Sequence, residues 1–136
     1  MSVININDQN FINTDEYKNF MKENPSFGIL KIRANAAREA MPVSGVKVVV
    51  TKKIGSDTVI FYEGVTDESG MINNIKLPTP EAISDDLVVP PSTTYEVDAI
   101  YTNEEQIYPV NVFSGIYVVQ TIKITPITEM RNYYGY

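Results

Sequence analysis

From Phe27 onward the hydropathy of the chain alternates with a period of two. Leu30 and Ile32 alternate with Lys31 and Arg33, and Val46, Val48 and Val50 with Lys47, Val49 and Thr51. Successive side chains of an extended strand point to opposite faces, so this period marks strands with one buried face. The same signature continues through Thr58–Glu63, Met71–Leu77, Thr94–Tyr101, Ile107–Phe113 and Ile116–Thr125. Turn-forming residues separate the runs: Gly55-Ser56-Asp57, Thr66-Asp67-Glu68-Ser69-Gly70, Asn103-Glu104-Glu105 and Ser114-Gly115. Seven strands punctuated this often predict an antiparallel seven-stranded β-sandwich. Its expected core is Leu30, Ile32, Val46, Val48, Val50, Ile60, Ile75, Val97, Ala99, Val112, Val118 and Ile122. Pro109 cannot donate to a ladder and places its strand at a sheet edge or a bulge. Residues 35–42 and the proline-rich stretch Pro78 to Ser92 are expected as loops. At 136 residues and 43% hydrophobic content, one domain with one core is expected.

The two ends differ from this pattern. Ile4 and Ile6 alternate with Asn5 and Asn7, too briefly to fix a strand by themselves. Thr14 before Asp15-Glu16 reads as a helix cap with two carboxylates in the first turn. Tyr17, Phe20 and Met21 then share one face, and Asn24-Pro25 ends the helix. Residues 1–26 are therefore an N-terminal arm with a short helix, residues 27–126 the sandwich, and residues 127–136 a tail rich in tyrosine. Ile4, Ile6, Tyr17, Phe20, Met21, Tyr133, Tyr134 and Tyr136 are the candidate partner-binding side chains. Tyrosine suits that role because its ring buries area while its hydroxyl stays hydrated.

Several pieces resemble the carboxypeptidase regulatory-like family, whose domains are transthyretin-like (Ig-like) sandwiches. They are Gly28-Ile29-Leu30-Lys31-Ile32, Pro42-Val43-Ser44-Gly45-Val46-Lys47-Val48, Gly64-Val65-Thr66-Asp67-Glu68-Ser69-Gly70, Leu77-Pro78 and Tyr95-Glu96-Val97-Asp98-Ala99-Ile100-Tyr101. The resemblance runs from Gly28 to Pro126, about three-quarters of the chain, and implies fold more than function. Leu77-Pro78-Thr79-Pro80, Thr93-Thr94-Tyr95-Glu96-Val97 and Val112-Phe113-Ser114-Gly115-Ile116 are similar to small sandwich domains associated with clostridial spore cortex-lytic hydrolases and phage-type proteins. That likeness implies a Gram-positive setting but no peptidoglycan cleavage, because the chain has no room for a hydrolase domain. Transthyretin-like hydroxyisourate hydrolases use histidines and a Tyr-Arg-Gly-Ser ending, whereas this chain ends Tyr133-Tyr134-Gly135-Tyr136.

Composition narrows the chemistry further. The sequence contains neither His nor Cys, which removes Ser-His-Asp and Cys-His catalysis and the usual zinc sites within one chain. Asp67-Glu68 and Asp85-Asp86 lack the ligand spacing of a calcium loop. A Lys–Asn isopeptide bond is not expected either: Lys31 alternates toward solvent, and the last strand offers Gln120 rather than Asn or Asp. No catalytic residue, cofactor or metal is therefore expected. A net charge of −6 disfavours nucleic acid, and no apolar run nears the roughly 20 residues of a membrane helix. The opening Met1-Ser2-Val3-Ile4-Asn5-Ile6-Asn7 lacks the basic start and apolar run of a secretion signal. Synthesis in the cytoplasm is expected, with a phage-like particle or spore layer as a destination. The leading expectation is a non-catalytic structural or assembly protein that self-associates or joins a particle through sandwich edges and terminal arms. The alternative is a binding module that serves a separately encoded cell-wall hydrolase or recognises a cell-surface glycan.

Overall fold

A computed structural model describes residues 2–36, 41–82 and 89–125. In chain order these residues form β1 (Val3–Asn5), α1 (Gln9–Ile12), α2 (Asp15–Glu23), β2 (Ser26–Ala36), β3 (Met41–Pro42), β4 (Lys47–Ile54), β5 (Asp57–Val65), β6 (Met71–Thr79), β7 (Ser92–Tyr101), β8 (Glu104–Phe113) and β9 (Tyr117–Lys123). One sheet has the order β1-β5-β4-β7-β8. The other is built on β2, which pairs with β6 and β3 along one edge and β9 along the other.

The sandwich expectation holds for the layers but not for strand number or direction. Nine strands form among the described residues, and the sheets are mixed. β1 runs parallel to β5, and β9 runs parallel to β2 from Ile29↔Tyr117 to Asn35↔Lys123. Alternation reports which face a side chain takes but not which way its neighbour runs. Met41-Pro42, expected as loop, adds a short strand beside Asn35 and Ala36.

The inner faces meet as the period-two pattern requires. Leu30, Ile32, Val46, Val48, Val50, Val97, Val112 and Ile122 are fully buried, joined by Leu77 and Val59. Each such side chain is worth roughly 1.5–3 kcal/mol of transfer free energy. Tyr95 on β7 reaches across the layers, its hydroxyl donating to the Pro78 carbonyl of β6 at 2.5 Å. Burial pushes that phenol well above its usual ionisation range.

Two expected core positions are corrected. Ile60 points outward and Val59 takes its place, because β5 carries one extra residue: Val50 pairs with Tyr62, while Thr51 pairs with Ile60. Phe61 is the inserted residue, and such a bulge reverses the parity beyond it. Val118 is only partly buried, since β9 lies at the end of its sheet. A second irregularity, between Leu30 and Ile32 of β2, brings Ile72 and Ile75 of β6 onto one inner face despite their odd spacing. Asn74 accommodates it with a φ of 62°, a conformation that Asn tolerates better than most residues.

The N-terminal arm folds onto the sandwich. Thr14 caps α2 by accepting from the Tyr17 amide at 3.2 Å. Asp8 caps α1, a helix not anticipated from the sequence, by accepting from the amides of Asn10 and Phe11. Phe20 packs on Phe61, and Phe61 edge-on against Tyr95, with ring centroids 5.6 and 5.1 Å apart. Asn24 is buried and accepts a hydrogen bond from Thr93.

Candidate functional site

The candidate partner-binding residues divide into two groups. Phe20 belongs to the chain's own core, and Ile4, Ile6, Tyr17 and Met21 are partly buried against it. Tyr17 also meets Phe11 edge-on at 5.6 Å. These five side chains make intramolecular contacts. Tyr133, Tyr134 and Tyr136 lie outside the described residues, as do Asp85 and Asp86.

No grouping of His, Cys, Asp or Glu among the described residues has the geometry to hold a metal ion. Asp67 organises a turn instead, its Oδ1 accepting from the amides of Ser69 at 2.9 Å and Met71 at 3.0 Å. Gly70 completes that turn at φ 72°. A shallow groove of about 320 Å³ opens beside the end of β4 between Lys52, Lys53, Thr58, Thr94 and Glu96. Lys52 donates to the Thr94 carbonyl at 3.0 Å, and partial burial lowers its pKa. The groove offers two lysines, hydroxyls and the Glu96 carboxylate but no imidazole or thiol.

The larger features are the two outer sheet faces. Opposite the buried residues of β2 lie Phe27, Ile29, Lys31 and Arg33; β6 adds Lys76, and β9 adds Tyr117, Val119 and Lys123. The four strands of this sheet carry Lys31, Arg33, Lys76 and Lys123 and no carboxylate. Its exposed aromatics are overlaid by its own cations. The Lys31 ammonium lies 5.1 Å from the Tyr117 ring centroid, and the Lys76 ammonium lies 4.5 Å from that of Phe27. Tyr117 is 64% exposed and Val119 45%. In a chain of net charge −6, this is a segregated basic and apolar face.

The opposite face is mixed, with a net negative balance. Outward positions hold Glu63 on β5, Glu96 and Asp98 on β7 and Glu105 on β8, with Lys47 and Lys53 on β4. Val49, Ile60, Ile100 and Ile107 lie among them, Ile107 being 55% exposed. Asp98 sits in the middle. Its Oδ1 is covered and has no hydrogen-bond partner. Burial, a hydrogen bond with Glu105 and the charges of Glu105 and Glu96 push its pKa up to about 6, against the opposing pull of Lys47. Lys31 and Glu96 lie on opposite outer faces, so they cannot form the lysine–acid pair of an isopeptide site.

The sheet edges are less inviting. β8 carries Pro109, which interrupts its row of donors, and Gln106 of β8 donates to the Lys123 carbonyl of β9 at 2.7 Å across the gap between sheets.

No protein-family description matches the sequence, and no curated protein matches it either. Solved structures similar to it include the following two. One is the TIE protein of Bacillus anthracis, with 19% identity over 74% of this chain and a TM-score of 0.49; the similarity spans 16% of that protein's length. The other is a 5-hydroxyisourate hydrolase of Klebsiella pneumoniae, with 15% identity over 73% of this chain and 90% of that one, and a TM-score of 0.49. At these values neither likeness bears on what this chain does.

The sequence reading missed the segregation of charge. Its signal is present in the strands themselves, since none of those in the β2 sheet contains Asp or Glu. That signal becomes visible only once sheet membership is known.

Proposed function

We propose that this chain is a non-catalytic assembly module, a transthyretin-like sandwich that joins a larger bacterial or phage-type particle through its outer sheet faces. The observation that carries this reading is the carboxylate-free basic face with exposed Tyr117 and Val119. A cationic surface of this kind, mixed with aromatic and branched apolar groups, suits a protein partner of opposite charge. The glycan alternative gains less support, because a sugar ring needs an open aromatic platform, and lysines overlie both Phe27 and Tyr117. With the arm packed on its own core, the faces replace the arm as the proposed contact.

Sedimentation of a native extract tests the proposal. The parent chain should travel with a complex larger than itself. A Lys31→Glu/Arg33→Glu variant with unchanged melting should travel free. A parent chain found only as the free protein, or robust substrate turnover by the purified chain, would discard the reading.

A further inference from the structure

We propose that the partner is a second copy of this chain, stacked head to tail, with the basic face of β2, β6 and β9 on one copy lying against the net acidic face of β5, β4, β7 and β8 on the next. This rests on the assembly reading above and adds the identity of the occupant.

Charge complementarity selects the pairing. A contact between two basic faces would oppose Lys31, Arg33, Lys76 and Lys123 to their own copies, and one between two acidic faces would oppose Glu63, Glu96, Asp98 and Glu105 with only Lys47 and Lys53 to offset them. Like charges in juxtaposition across an interface cost several kcal/mol. The mixed pairing opposes cations to carboxylates. It also covers apolar groups on both sides: Tyr117 and Val119 on the basic face, Val49 and Ile107 on the acidic one.

Asp98 adds to the charge argument. It faces outward on β7 between Val49 and Ile107, close to Glu96 and Glu105, a concentration of like charge that Lys47 only partly offsets. Sheets packed face to face lie about 10 Å apart, a gap that a lysine or arginine can span. Cations arriving from the next copy would offset the mutual repulsion of Asp98, Glu96 and Glu105.

The geometry also sets the form of the assembly. Two different faces make a heterologous contact, which does not saturate at a dimer and propagates unless rotation closes a ring. Two sheets per copy imply a repeat of about 20 Å along the stack. The basic face is only three strands wide, so each contact falls at the low end of specific interfaces and is weak and sensitive to salt.

Two complementary variants test the proposal. Glu96→Lys/Glu105→Lys blocks the acidic face, and Lys31→Glu/Arg33→Glu blocks the basic one; Glu96→Gln/Glu105→Gln serves as a neutral control. Melting curves establish that each folds. Light scattering is then read on each protein alone and on an equimolar mixture, over a concentration series reaching hundreds of micromolar. The expected result is a parent whose mean mass climbs past the dimer and falls in high salt. Each charge-reversed variant should be a monomer alone, the neutral control should associate less than the parent, and the mixture should associate again, because each intact face meets its intact counterpart and the two reversed faces are themselves opposite in charge. A dimer formed by either charge-reversed variant alone would establish a symmetric contact and overturn the inference. A parent that stays monomeric throughout while still travelling with a native complex would overturn it too, leaving the assembly reading in place with a different protein as partner.

Discussion

Asp98 is a carboxyl group whose neighbours hold it away from ionisation. Its pKa is pushed up from 3.8 to about 6, first by burial and then by Glu105 and Glu96. The folded chain therefore holds this proton more tightly than the unfolded chain does. Its contribution to stability is full below the ordinary carboxylate range and is lost as pH rises toward and past about 6. Asp98→Asn removes this titration. Urea midpoints measured from pH 4 to pH 7.5 should fall more steeply for the parent than for the variant, which should be the more stable of the two at neutral pH. Parallel curves would mean that Asp98 ionises normally. Val48 makes the opposite point on the inner face, where exposure is 0%. Val48→Asp places a charge between the sheets with no partner and should cost about 3–5 kcal/mol in chemical denaturation. A variant that denatures like the parent would contradict the assigned orientation of β4.

At the scale of elements, the structure shows what alternation can and cannot report. Lys47 to Ile54 reads correctly because each valine of one parity is buried and its neighbours are polar or half-exposed. Val59 to Tyr62 is apolar at every position, so nothing in the sequence marks Phe61 as an insertion. The direction of β1 and β9 was likewise illegible, since parallel and antiparallel neighbours impose the same period. The helix α2 was legible from its cap and its spacing. The short α1 depends on Asp8 and on a docking site for Phe11, which is 3% exposed. That burial makes the arm a structural element. Deleting residues 2–13 removes β1, α1 and Phe11 and exposes the edge of β5. The deletion should lower stability by at least the roughly 3–5 kcal/mol associated with losing a buried Phe, read as a drop in urea midpoint. An unchanged midpoint would reduce the arm to a passive extension.

Over the whole molecule, the feature that matters most was the least legible. The residues of the basic face come from Phe27 to Arg33, Lys76 and Tyr117 to Lys123, segments remote in sequence that only the sheet topology unites. A net charge of −6 describes the average and conceals a division between two sides. The parallel pair of β2 and β9 has a further, mechanical consequence. β2 opens the sandwich at Ser26 and β9 closes it at Lys123, and the two lie side by side over seven matched positions. Tension that draws Ser26 and Lys123 apart pulls these strands along their length in opposite senses. The evenly spaced bonds between them are then loaded together rather than opened one after another. An antiparallel hairpin such as β7–β8, drawn apart by its free ends, would peel from one end instead. The sandwich is thus braced against being stretched along the line joining its first long strand to its last.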